Sequence, residues 1–303
     1  MEEQMRVQAY QQAAGALPLS LRQRALAISL QRQAQVEELR LRVGRPMTVV
    51  VSGQEYPLSG GNVEGRELEQ VVEIASRASL HAVLDQVRRG YLTMAGGHRI
   101  GLCGTAVMRD GNIHSLSRLS SLNIRVACQV RGAADPVMAA VCPDGRLVST
   151  LILAPPGLGK TTLLRDLIRQ VSDGEHCTAM RVAVADERGE VAGLYQGRAQ
   201  LDVGAHTDVL EGCPKAQGLM LLLRAMNPQV LAADEITAPE DVAALRAAMG
   251  CGVVLLATAH GESRGDLERR MLYRPILEEG LFQRLVRIRQ ENTRRYYYIE
   301  ELD

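Results

Sequence analysis

A chain of 303 residues with 46% hydrophobic content is long enough for one large domain or two ordinary ones around a buried core. Basic and acidic residues balance at 35 each, so no overall charge announces a nucleic-acid or membrane-surface partner. The six cysteines, Cys103, Cys128, Cys142, Cys177, Cys213 and Cys251, contain no C-x-x-C pair that would suggest zinc or a redox dithiol, and they read as reduced, mostly buried thiols of a cytosolic protein.

The N-terminus MEEQMRVQAYQQ lacks a basic stretch followed by an apolar one, and the longest apolar runs, such as VVLLATA, are too short to cross a bilayer. The expected location is cytoplasmic, with peripheral docking on a membrane protein left open. Residues 19–36 have roughly helical spacing of Leu, Ala and Ile. EELRLRV and MTVVV, on either side of GRP, read as a hairpin. From 65 to 89, apolar positions recur at three- and four-residue intervals, the pattern of one or two amphipathic helices. HRIGLCGTAV, a turn at Asp110-Gly111 and SSLNIRVACQV then alternate as antiparallel strands. These pieces make an α+β domain over residues 1–130. Asp135-Pro136 and Pro143-Asp144-Gly145 mark 131–146 as a linker, with room for a short helix. Beyond it short apolar strands alternate with helices: VSTLIL, TTLLRDLIRQV, RVAVAD, KAQGLMLLLRAM, QVLAAD, PEDVAALRAAM and GVVLLATA. That alternation predicts an α/β domain over 147–303 with a mostly parallel, doubly wound sheet, and LVRIRQ with YYYIEEL closes it as a hairpin.

The stretch APPGLGKTT, residues 154–162, joins the first of these strands to a helix. A P-loop works because backbone N–H groups, freed by glycine geometry and aimed by a helix N-terminus, surround phosphate oxygens, while Lys and Ser/Thr supply charge and a magnesium ligand. Ala154, Pro155, Pro156, Gly157, Leu158 and Gly159 would form the loop. Lys160 would reach the β- and γ-phosphates, and Thr161 would bind magnesium. Ala154 departs from the glycine that opens the full pattern, which bears on loop geometry more than on phosphate chemistry. Lysine occurs only at 160 and 215, so the other 33 of the 35 basic residues are arginine. In such a background a surviving lysine points to a need for a compact point charge.

Acidic strand ends supply the second requirement. In QVLAADEI, Asp234 would hold magnesium and Glu235 would polarise the attacking water or sense the γ-phosphate; the plainer alternative is a capping pair. In RVAVADERGE, Asp186, Glu187 and Glu190 follow another strand and can flank the same phosphate if the two strands are neighbours. Which glutamate is the base stays open. GVVLLATAH ends in Thr258 and His260, either phosphate sensors or hydrogen-bonded structural residues. The histidines have no metal-ligand spacing, so magnesium brought by ATP is the only metal expected.

Taken together, the P-loop, the acidic box VADERGE, LLRAMNPQVLAADEI and ATAHG resemble the type II and type IV secretion ATPases, the hexameric RecA-like motors of pili and secretion channels. More narrowly, GGHRIGLCGTAV, LSSLNIRVA, DVLEGCPKA and LLRAMNPQVLAADEI are similar to members of that group from endospore-forming bacteria that act in sporulation. The resemblance runs from about Glu38 to the C-terminus. It implies an ATP-hydrolysing homo-oligomer, a hexamer, serving integral membrane proteins of a channel complex between mother cell and forespore. It also implies nucleotide on Gly157, Gly159, Lys160, Thr161 and Thr162, and catalytic acids at Glu187 and Glu235. Arginines of the N-terminal domain contact phosphate in secretion ATPases, which nominates Arg99 and Arg125. Departures are Gly189 where Ser is expected, His206 where Arg is expected, and Thr237 where Gly is expected.

Three functions follow as expectations: a motor ATPase working on envelope proteins, a nucleotide-gated subunit with little turnover, and a nucleic-acid translocase. The charge balance and an aromatic content of only 3%, with one Phe and no Trp, argue against the last, so no nucleic-acid partner is expected.

Overall fold

The computed structural model describes residues 2–76, 90–291 and 294–302. The chain divides into two compact units, one of residues 1–129 and 193–200, the other of residues 130–192 and 201–303.

The first unit begins with helices α1 (Glu2–Ala14), α2 (Leu19–Leu26) and α3 (Leu30–Gln33). The helix expected over 19–36 is therefore broken. Ser29 starts α3 by accepting from Arg32 N at 3.3 Å, while Gln33 Nε2 donates to Leu26 O and Ile28 O across the break. The strands β1 (Val36–Arg42), β2 (Pro46–Val51) and β3 (Gln54–Asn62) form a meander; the third was not anticipated, because GGN at its end reads as loop. Helix α4 (Gly65–Ala75) accounts for the start of the 65–89 pattern, and residues 77–89 lie outside the described residues. Short β4 (Tyr91–Thr93) leads to the long hairpin of β5 (Arg99–Arg109) and β6 (Asn112–Arg125). Its turn is Asp110 and Gly111, at φ 50° and 76°, the two-residue turn in which both central residues are left-handed. The sheet order is β3-β2-β1-β6-β5-β4. One face buries Leu39, Leu41, Val49, Ile100 and Ile124 against Tyr10, Leu21 and Leu68 of the helices and Leu17 between α1 and α2, each aliphatic side chain contributing about 1.5–3 kcal/mol.

In the second unit, α5 (Asp135–Val141) lies within the segment read as a linker. Ala134, Val137, Met138 and Val141 are buried in this unit's core, and α5 is the short helix for which the reading of 131–146 left room. There follow β7 (Thr150–Ala154), α6 (Lys160–Asp173), β8 (Val182–Asp186), the small antiparallel pair β9 (Leu194–Tyr195) and β10 (Arg198–Ala199), β11 (Thr207–Glu211), α7 (Lys215–Ala225), β12 (Val230–Ala233), α8 (Pro239–Gly250), β13 (Val254–His260), α9 (Arg264–Arg269), α10 (Arg274–Glu278), β14 (Arg284–Glu291) and β15 (Arg294–Glu301). The β9–β10 pair groups with the first unit, an excursion that nothing in GLYQGRAQ signals.

The seven-stranded sheet runs β11-β8-β12-β13-β7-β14-β15, parallel throughout except for the terminal β14–β15 hairpin. Alternate residues of β7 face opposite cores: Leu151 and Leu153 pack with α7 and α8, Ile152 and Ala154 with α5 and α6. Burial on both faces explains why these strands read as continuous apolar runs. It also aligns the carboxyl ends of β8, β12, β13 and β7 along one edge, where such sheets place ligands.

Candidate functional site

The loop after β7 enters α6 through Gly157 and Gly159, at φ 81° and 92°, left-handed conformations that glycine adopts without steric cost. Ala154 needs no such freedom. It is the last residue of β7, 1% exposed, and its carbonyl accepts a hydrogen bond from Lys160 Nζ at 2.8 Å. Pro155 carries the second carbonyl that Lys160 reaches, at 3.1 Å. Pro156 is exposed, Leu158 packs on the α6-side core, and Thr161 and Thr162 open the helix half-buried.

Lys160 is only 7% exposed. Its third partner is His260 Nδ1, at 2.8 Å, so all three ammonium N–H groups are engaged. Burial depresses its pKa, and the charges of Asp234 and Glu235 oppose that shift. An imidazole accepting at Nδ1 carries its proton on Nε2, and Nε2 lies 3.0 Å from Glu235 Oε1. Lys160, His260 and Glu235 thus form one hydrogen-bonded chain.

Asp234 takes Thr161 Oγ1 on one carboxylate oxygen at 2.8 Å and Thr258 Oγ1 on the other at 2.7 Å. Thr258 is fully buried and also accepts Glu235 N at 2.7 Å. It is therefore a brace for both acids rather than a free sensor. Glu235 has φ 53°, a left-handed backbone that costs a non-glycine residue about 1–3 kcal/mol and persists only where its surroundings enforce it. Thr258 holds its N–H and Lys215 Nζ donates to its carbonyl. Arg188 Nη1 pairs with its Oε2 at 3.1 Å.

Lys215 is 5% exposed. Besides the Glu235 carbonyl it lies 3.5 Å from Glu187 Oε2 and 3.8 Å from Asp241 Oδ2. Both lysines of the chain therefore converge on the same glutamate. Asp186, Glu187, Arg188, Lys215, Asp234 and Glu235 line one small pocket. Asp186 has a different task from its neighbours: its carboxylate accepts Glu190 N, Val191 N and Ala192 N at 2.9, 3.0 and 2.9 Å, folding the acidic loop back, and burial raises its pKa against those hydrogen bonds. Arg165 ties the same loop to α6 through Val191 O and Glu190 O, both at 2.6 Å.

The structure thus brings Lys160, Thr161, Asp234, Glu235, Glu187 and His260 together. Arg99 and Arg125 belong to the first unit, where they are register partners on β5 and β6 and the Arg99 guanidinium stacks 4.0 Å above the Tyr91 ring. His206 lies at the opposite, amino end of β11. There its N–H donates to Ser172 Oγ at 2.7 Å and its Nδ1 to Ser172 O at 2.7 Å, so the expected Arg position is a brace of α6 and not a phosphate contact within this unit. Arg188, Thr258 as a brace and Lys215 as a site residue escaped sequence reasoning; only the scarcity of lysine marked Lys215.

A glycine-built loop at the carboxyl edge of a parallel sheet, with Lys, Thr and an acidic strand end beside it, defines a P-loop protein of the RecA-like kind. The ATPase DotB of Legionella pneumophila shares the fold with a TM-score of 0.58 at 16% identity, over 88% of this chain and 77% of that one. The pilus retraction motor PilT with bound ADP does so with a TM-score of 0.59 at 14% identity, over 88% and 80%. Residues 7–296 match the model of the family Sporulation stage III, protein AA, and the chain belongs to that family. Stage III sporulation protein AA of Bacillus subtilis is 38% identical over 274 residues, 90% of this chain and 88% of that protein. Among the described residues no helix is long and apolar enough to cross a membrane.

Proposed function

We propose that the protein binds ATP with magnesium at residues 154–162 and hydrolyses it as one subunit of a homo-oligomer, a hexamer by likeness to secretion motors, that works on integral membrane proteins during sporulation. The observation that carries this reading is the chain Lys160–His260–Glu235 beside the pair Thr161–Asp234. Thr161 Oγ1 and Asp234 Oδ2, hard oxygen donors 2.8 Å apart at the start of α6, suit magnesium, which would offset phosphate charge. Lys160 would exchange its loop carbonyls for β- and γ-phosphate oxygens.

Glu235 is the better base of the two glutamates. Its Oε1 faces His260 at 3.0 Å, and His260 contacts Lys160, so the residue that meets the γ-phosphate and the residue that takes the proton of water are coupled through one imidazole. As water oxygen bonds to the γ-phosphorus and the bond to the β-γ bridging oxygen breaks, Glu235 accepts the proton of water. Glu187, paired with Lys215, shapes the acidic side of the pocket. Arg99 and Arg125 are proposed to serve phosphate charge from the N-terminal domain, as the family resemblance implies.

A second reading is favoured by one observation: all three Lys160 donors are satisfied internally and Glu235 is held by both Arg188 and His260. Such a site fits a subunit that binds nucleotide and turns over slowly without its partners. Magnesium-dependent ATP hydrolysis across a protein concentration series, beside Lys160→Ala, separates the two. Activity per subunit that rises with concentration and vanishes in the variant supports the motor. Nucleotide binding with no turnover at any concentration supports the gated subunit.

A further inference from the structure

The acidic groups approach the P-loop from one side only. In the sheet order β8-β12-β13-β7-β14-β15, the strand ends bearing Glu187, Asp234, Glu235 and His260 lie before β7, and the terminal hairpin lies after it. β14 pairs with β7 from Arg284 opposite Thr150 to Arg287 opposite Leu153, then continues to Glu291. The hairpin arm beyond Arg287 therefore rises past the end of β7, level with the loop. Ile288 on this arm is buried in the α6-side core, and its register partner Tyr297 packs on the same core. Arg295, two residues before Tyr297 on β15, points to that same face.

Its guanidinium lies against the loop. A Cβ built on Gly159 would stand 3.2 Å from both Cζ and Nη1 of Arg295. The other cations of the site are matched by carboxylates or carbonyls: Lys160, Lys215, Arg188, and Arg270 with Asp266. Arg295 is exposed, and no hydrogen-bond or ion-pair partner for its guanidinium stands among the described residues. An arginine without an anion, packed on a glycine of a backbone N–H cradle, is placed for bidentate recognition of phosphate.

We propose that Arg295 is a nucleotide ligand that closes the P-loop from the side opposite Asp234 and Glu235. With the γ-phosphate directed toward His260 and Glu235, the opposite side meets the α- and β-phosphates. This rests on the reading of residues 154–162 as an ATP site. Because ATP and ADP share those two phosphates, Arg295 contributes uniform binding: affinity for both nucleotides depends on it, and turnover of bound ATP does not.

The test is the binding of fluorescent ADP, with steady-state ATP hydrolysis in parallel, for the full chain, Lys160→Ala, Arg295→Ala and Arg295→Lys. Circular dichroism establishes that each variant is folded, and Arg295→Lys keeps the charge without the planar fork. Loss of one charge-assisted contact lowers ADP affinity about ten- to a hundredfold in Arg295→Ala, with an equal rise in KM for ATP, kcat within about twofold, and an intermediate value for Arg295→Lys. If wild type binds ADP, Lys160→Ala does not, and Arg295→Ala binds as wild type, the assignment of Arg295 is overturned and the ATP site stands. If the effect falls on kcat with ADP affinity unchanged, the α/β placement is overturned. If wild type binds no ADP, both the site and the ligand fail together.

Discussion

Thr258→Val separates the brace from the acids it holds. The substitution is near-isosteric, so it leaves the packing of a fully buried position intact while deleting two hydrogen bonds, one to Asp234 Oδ1 at 2.7 Å and one from Glu235 N at 2.7 Å. A buried N–H left without a partner costs about 1–3 kcal/mol and a lost bond to a carboxylate about 1.5–3 kcal/mol. The two share one hydroxyl and are not additive, so a net loss of about 3–4 kcal/mol is expected. For a unit of this size that corresponds to a fall in melting temperature of roughly 6–16 °C. The left-handed Glu235 would also relax, since Thr258 is one of the two groups that pin its peptide. Thermal and urea denaturation measure the first effect, and magnesium-dependent ATP hydrolysis measures the second, with an expected loss of about tenfold or more as base and phosphate lose alignment. Thr258→Ser keeps the hydroxyl and gives up one methyl, about 1 kcal/mol, and should retain most activity. A Val variant as stable and as active as the Ser variant would refute the reasoning, because the hydroxyl would then carry nothing.

Lys215→Met should destabilise the protein by about 1–3 kcal/mol, because it leaves the Glu235 carbonyl without its donor and removes the cation beside Asp241, whose carboxylate keeps the N–H groups of Thr237 and Ala238; a melt indistinguishable from wild type would contradict the burial argument. His98 is fully buried in the first unit, where its Nδ1 accepts Ala127 N at 3.0 Å, and burial pushes its pKa down to about 4. The unfolded chain binds that proton near pH 6.5 and the native chain does not, so stability is full above that pH and falls as pH drops toward 4, by about 3 kcal/mol in all. Urea midpoints from pH 7 to 4 for wild type and His98→Asn check it, the variant lacking this component of the slope. Lys160→Ala should abolish ATP hydrolysis while leaving the far-ultraviolet circular dichroism unchanged, since Lys160 bonds only to loop carbonyls and to His260.

The parallel domain was legible because its strands are buried on both faces and read as uninterrupted apolar runs, and because P-loop chemistry is confined to nine consecutive residues. Asp234, Glu235 and His260 were legible for a related reason: each stands at the end of such a run, and neighbouring parallel strands end along one edge. What escaped is what depends on registers between distant strands. Arg295 is one of 33 arginines, and only the overhang of β14 beyond β7 brings its strand level with Gly159. Thr258 reads as a polar residue at a strand end whether its hydroxyl faces a phosphate or the two acids beside it. Within 131–146 the Pro and Gly residues mark the ends of a segment whose apolar positions Val137, Met138 and Val141 carry the helical spacing of the short α5.

The two lysines explain one another once Glu235 is taken as the centre. One reaches its carboxylate through His260 and the other grips its carbonyl directly, so the strained residue is held at both ends by ammonium groups. Each lysine works in a space where it is less than a tenth exposed, at 7% and 5%, and each meets three partners there: two loop carbonyls and an imidazole for Lys160, a carbonyl and two carboxylates for Lys215. A guanidinium is larger and fixes its donors in one plane, so it cannot satisfy such a set without displacing the walls. Everywhere else in the chain a basic residue can be arginine. At these two buried positions a compact ammonium fits the space beside Glu235, and composition alone marked both sides of the site.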